Sequence, residues 1–158
     1  MRTRHLATTS LMTLALAACA TFDVPPDNPQ ALVNERIAIM KGFVAALTAT
    51  GQFTQDKATA PAAKTKVAAS RAGVERLDDL FPKGTALGDR GVKQSRALST
   101  IFANRADFDA KRSALADALL ALESALAKNS KADAAKQLQQ TKSTCGSCHT
   151  RYRTPDET

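Results

Sequence analysis

Cys145 and Cys148 fall on the same helical stripe as Ala134, Leu138 and Thr141, and this constrains the fold more than any other feature of the chain. Residues spaced by three and four share one face of a helix. A group held by both cysteines must therefore lie on the face that also builds the core. The pair belongs to the run Cys145-Gly146-Ser147-Cys148-His149, a CxxCH motif that reads as a c-type haem attachment site. Two thiols add across the haem vinyl groups, and the next residue's imidazole ligates iron from the same turn. The alternative, a stray metal site, is poorly supplied, since a four-ligand zinc centre needs more Cys or His than the chain offers.

The rest of the chain has the same period. Asn28-Pro29 suits N-cap and N1 of a first helix, whose apolar stripe is Val33, Ile37, Met40, Val44 and Leu47, with Gly51 as its end. A second helix is expected from Ala60-Pro61 to Leu80, with Val67, Val74, Leu77 and Phe81 inward. Pro82, Gly84, Gly88 and Gly91 predict a long loop up to about Gln94, followed by a short turn over Leu98 to Phe102. The third helix covers Ala106 to Lys128, with Phe108, Leu115, Leu119, Leu122 and Leu126 inward. After the break at Asn129-Ser130, Ser130-Lys131-Ala132-Asp133 resembles a capping box, opening a fourth helix from Lys131 to Arg153. Its inward positions end with Cys145, Cys148 and Tyr152. Four helices of similar length with two short joints predict an all-α, antiparallel up-down-up-down bundle with covalently bound haem c. Alanine dominates and aromatics are only 4% of residues, which favours closely packed helices over a sheet core. Residues 31–154 form the expected domain, with 155–158 as a C-terminal tail.

The N-terminus reads as an export signal over residues 1–18: basic Arg2, Arg4 and His5, then an apolar stretch too short to span a bilayer. It ends Leu16-Ala17-Ala18-Cys19, which resembles a bacterial lipobox, with Cys19 lipidated and residues 19–30 a flexible tether rich in proline. The alternative is an ordinary cut at Ala15-Leu16-Ala17 that leaves Cys19 a stray thiol. Either cut places the protein outside the bacterial cytoplasm, in the periplasm. Lipidation at Cys19 would add durable anchoring to a membrane. All three cysteines then have a use, and none remains for a disulfide although export permits one.

With the signal removed, His149 is the last histidine and Met40 the last methionine. If iron takes a conventional strong ligand on the side away from His149, Met40 leads; an apolar Met on a helix stripe otherwise fills a core. With His149 on iron, no histidine remains for a Ser-His or Cys-His pair, so the chain is not expected to be an enzyme. The formal charge of +7 falls to +5 without Arg2 and Arg4. The charges are scattered, which argues against nucleic acid and leaves an acidic redox partner open.

These residues resemble the class II cytochromes c, the cytochrome c′ family, which is among the standing examples of four-helix bundles. Only nine residues follow His149, and Cys145-Gly-Ser-Cys-His-Thr-Arg-Tyr152-Arg153 looks like the family's CxxCHxxYR ending. Arg36-Ile-Ala-Ile-Met40-Lys41 is similar to its RxxxMK segment, and Leu80-Phe81-Pro82-Lys-Gly84 to its LFPxG junction. The resemblance implies that Met40 faces the distal side of the haem, as an iron ligand in low-spin members and unbound in five-coordinate ones. It also implies Arg36 near a haem propionate, with a solvated Arg as the alternative, and Arg153 near the proximal imidazole. Phe102 stands where the family often has a Trp beside the haem.

The expected function is a membrane-anchored electron carrier with His149/Met40 axial ligation. The alternative is a five-coordinate cytochrome c′ that binds NO or CO. Monomer and homodimer both remain open; Ile39, Phe43 and Phe53, the last placed just beyond the first helix, would supply a dimer face or cover the haem edge.

Overall fold

The computed structural model describes residues 27–155. Helix α1 spans Pro29–Thr54 and α2 spans Ala60–Arg76, continued by one 3-10 turn over Leu77–Leu80. A one-turn helix α3, Thr100–Ala103, precedes α4, Arg105–Ala127, and α5, Lys131–Tyr152. The four long helices close a ring in which α1 packs on α2, α2 on α4, α4 on α5 and α5 back on α1. Sequence neighbours are thus spatial neighbours, as an up-down-up-down bundle requires. No helix among the described residues is long and apolar enough to cross a membrane.

Local chemistry sets the ends. The Asn28 side chain accepts from Ala31 N at 3.0 Å ahead of Pro29, and Thr59 caps α2 ahead of Pro61. Ser130 accepts from Asp133 N at 3.3 Å, which is half of the expected capping box; the Ser130 N–H itself donates to Ala125 O. The turn before it uses Asn129 at φ 52, a left-handed conformation that Asn tolerates.

Two expectations for α1 need correction. Gly51 does not end the helix, which runs one more turn to Thr54. A glycine inside a helix costs only a little, and this one faces Leu138 of α5, whose Cδ2 lies 3.9 Å from where a Cβ would sit. The buried face is also rotated from the expected stripe: Val33, Arg36, Phe43, Ala46, Ala49, Thr50 and Phe53 are buried, while Val44 is 65% exposed. Phe43 and Phe53 are buried in this chain's own core, and Phe53 lies within α1 rather than beyond it. The inner residues expected on α2 are buried, as are those on α4 apart from half-buried Leu115.

Residues 81–99 wrap one end of the bundle. Gly84, Gly88 and Gly91 all take positive φ there, which lets the segment double back tightly. Ala97 pairs with Arg153 as a lone antiparallel bridge, with Leu98 N donating to Tyr152 O and Thr154 N to Arg96 O, both at 2.9 Å. Residues 1–18, Cys19, most of the expected tether and the last three residues of the tail lie outside the described residues.

Candidate haem site

The stripe expected to form the α1 core lines a cavity instead. Ile37, Met40, Val44 and Leu47 face a space of about 690 Å³ whose other walls come from α4, α5 and the 94–97 segment. From α5 come Thr144, Cys145, Cys148, His149 and Tyr152; from α4, Phe108, Lys111, Arg112 and Leu115. Helix periodicity explains this grouping: Cys145, Cys148, His149 and Tyr152 follow one another at steps of three, one and three, on a single face.

The floor is an aromatic ladder. Phe81 meets Phe108 edge-on at 4.8 Å, and Phe108 meets Tyr152 at 5.4 Å, which are favourable T-shaped contacts. The Arg36 guanidinium lies 4.3 Å above the Phe81 ring. At the other end, the Tyr152 hydroxyl donates to Asp107 Oδ2 at 2.5 Å. That hydrogen bond, aided by Arg151 and Lys111, holds the Asp107 carboxyl below its ordinary range.

Burial pushes the Cys145 thiol up, and that of Cys148 to about 11, with the Lys111 charge pulling the other way. Among the described residues no group of three His, Cys, Asp or Glu is placed to hold a bare metal ion. The cavity does suit haem. Its walls are largely apolar, two thiols and an imidazole enter from one helix, and Lys41, Arg96, Lys111, Arg112 and Arg153 line it without one carboxylate. A flat apolar macrocycle with two anionic propionates has that complementarity.

Cys145, Cys148, His149, Met40, Arg36 and Arg153 all line this cavity, whereas Phe102 does not. Phe102 packs half-buried against the core, and its neighbour Ile101 takes the cavity wall, because the single turn of α3 points adjacent residues about 100° apart. Arg36 is neither solvated nor open to a propionate through its terminal nitrogens. It is 5% exposed and binds Leu80 O, Thr85 O, Thr85 Oγ1 and Ser95 Oγ. Sequence reasoning missed Lys111, Arg112 and Ser95. The first two follow Phe108 by three and four positions and so were within reach of the helix pattern; Ser95, in an irregular loop, carried no signal.

A family model for cytochrome c′ matches residues 31–153. The chain belongs to the cytochrome c′ family. Solved structures share the fold. Cytochrome c′ from Rubrivivax gelatinosus is 20% identical with a TM-score of 0.70, covering 81% of this chain and 98% of its own. Cytochrome c′ from Rhodobacter sphaeroides is 26% identical with a TM-score of 0.68, covering 79% and 96%. A nitric oxide complex of a cytochrome c prime variant from Alcaligenes xylosoxidans is 18% identical with a TM-score of 0.70, covering 82% and 98%. No curated sequence relative matches the chain.

Cytochromes c′ bind one covalently attached haem c through paired cysteines, present here as Cys145 and Cys148, and are bacterial periplasmic proteins. The expected six-coordinate electron carrier is overturned by this family match and by the nitric oxide complexes among the structural neighbours. A Met40 thioether held permanently on iron would fill a coordination position of the kind that nitric oxide takes in those neighbours.

Proposed function

We propose that this cytochrome c′ binds NO or CO at a five-coordinate haem iron with His149 as the proximal ligand. The observation that carries the reading is that nitric oxide complexes have been solved for cytochrome c prime of the same fold. When bound, haem would supply an iron able to take a diatomic ligand. The chain's own part is to hold and shield it. Cys145 and Cys148 would fix the macrocycle to α5, and His149 would hold the iron from the turn they share.

Ile37, Met40, Val44 and Leu47 give the α1 side an apolar surface. Such a surface offers no hydrogen bond to stabilise bound dioxygen, but NO and CO do not depend on one. Met40 acts here as a soft, space-filling wall. The role we assign is binding rather than turnover.

Finer features go with this reading. Arg153, on the cavity wall four residues after His149, places a positive charge on the proximal side. Cys19 carries the lipid that holds the domain at a membrane; metabolic labelling with a fatty acid, lost on Cys19→Ala, is the outcome expected.

Titration of the reduced protein with CO and NO tests the main proposal. A high-spin Soret band with rapid stoichiometric binding supports it. A low-spin spectrum that CO cannot alter without first displacing a protein ligand overturns it.

A further inference from the structure

Arg36 is a buried cation with no ion pair among the described residues. It is 5% exposed, and burial alone lowers its pKa to about 10, so it stays charged at neutral pH. A buried charge left without compensation is costly. The compensation here is made of neutral acceptors, and every terminal N–H is used. Nη1 donates to Leu80 O at 3.2 Å and Thr85 Oγ1 at 3.1 Å; Nη2 donates to Thr85 O at 2.7 Å and Ser95 Oγ at 3.1 Å. These acceptors lie 44 to 59 residues away at both ends of the wrapping segment. Ser95 Oγ also donates to Thr85 O and accepts from Ala97 N, both at 3.2 Å, so the two ends are knotted at one point beneath the guanidinium.

From that knot two contact routes run to the turn that carries His149. One is the strap of residues 96–98, held to α5 by Leu98 N→Tyr152 O and Thr154 N→Arg96 O. The Arg96 guanidinium reinforces it by donating to the Thr154 carbonyl at 2.8 Å. The other is the ladder from Arg36 through Phe81 and Phe108 to Tyr152. The last turn of α5 has the Arg153 N–H bonded to His149 O at 3.1 Å, so whatever fixes Tyr152 and Arg153 also fixes the backbone of His149.

We infer that Arg36 is a positioning residue for His149: it ties the 81–99 segment to α1, and through the 96–98 strap sets the last turn of α5. Its charge is needed to saturate four acceptors at once, and its planar fork is needed to reach them, which a lysine cannot do. The haem side therefore has its proximal ligand held from α1, across the bundle. A haem carboxylate would have only Arg36 Nε left to approach, so anchoring a propionate is not the role assigned to this side chain. The inference rests on His149 as the proximal ligand and is independent of which gas the iron takes.

The test uses holo protein carrying Arg36→Lys or Ser95→Ala, with hydrogen exchange read at the Leu98 and Thr154 amides and the iron–histidine stretching band read by resonance Raman. Arg36→Lys keeps the charge but loses the fork; Ser95→Ala removes one acceptor and leaves Arg36 intact. Both variants are expected to speed exchange at the two amides by about tenfold or more and to shift the stretching band in the same direction. Native exchange rates and an unmoved band in both would overturn the inference. So would a changed reduction potential in Arg36→Lys with native exchange, which would make Arg36 a partner of the haem carboxylates instead. Should Arg36→Lys fail to retain haem, the milder Ser95→Ala decides alone. Should gas binding fail in the parent protein because Met40 occupies the iron, the stretching band is lost for that reason and amide exchange at Leu98 and Thr154 alone decides the inference.

Discussion

The Tyr152 hydroxyl donates to the Asp107 carboxylate at 2.5 Å, joining the end of α5 to the start of α4 just below the haem cavity. This bond is the largest cause of the depressed Asp107 pKa. A depressed carboxyl contributes stability above its unfolded pKa of about 4 and loses it as pH falls through the lower folded value. Tyr152→Phe, which keeps the ring contact with Phe108, is expected to lower Tm at neutral pH and to flatten the acid arm of a Tm-against-pH plot. Asp107→Asn should flatten the same arm. Equal acid slopes in all three proteins would show the bond to be energetically silent.

Met40→Ala separates a wall residue from a ligand. Met40 is half-buried on the cavity side, so its truncation is expected to cost about 2 kcal/mol or less. Haem attachment and the high-spin spectrum should persist, while CO association quickens as the wall recedes. A spectrum that changes from low-spin to high-spin on substitution would mean that the thioether had been on iron.

Gly42 of α1 and Gly73 of α2 should respond to alanine with opposite signs. A Cβ at Gly42 meets nothing within 4 Å, and alanine there should raise stability by about 1 kcal/mol through helix propensity. A Cβ at Gly73 would lie 3.1 Å from Ile39 Cγ2 and 3.5 Å from Phe43 Cε1. Gly73→Ala should therefore lose about 1 kcal/mol net, since crowding outweighs propensity. Urea unfolding of the holo protein reads both.

Gly91 tests the wrapping segment. It sits at φ +82 with Pro29 Cγ 3.2 Å from an added Cβ, so Gly91→Ala combines left-handed strain with a clash. A loss of about 1–2 kcal/mol is expected, together with faster exchange in residues 85–95. An unchanged midpoint would mean that this turn relaxes freely.

Much of the architecture was legible because helix signals are local. Asn28-Pro29, Thr59 with Pro61, and Ser130 with Asp133 mark helix starts through contacts three residues apart. Gly84, Gly88 and Gly91 mark the loop through their own backbone preference. The CxxCH run on the α5 stripe located the haem, since attachment chemistry depends on spacing within one turn.

What α1 does with its apolar residues was decided only in three dimensions. Two overlapping faces of this helix are apolar, one through Phe43, Ala46 and Phe53, the other through Ile37, Met40, Val44 and Leu47. Periodicity says which residues share a face but not what that face meets. Here the first packs mainly on other helices, and the second lines the cavity that Cys145, Cys148 and His149 also face. Arg36 reads as a surface side chain or, through the family resemblance, as a propionate partner. Its acceptors at Leu80, Thr85 and Ser95 are neutral groups far along the chain with no periodic signature, so only the folded loop brings them within reach of one buried guanidinium.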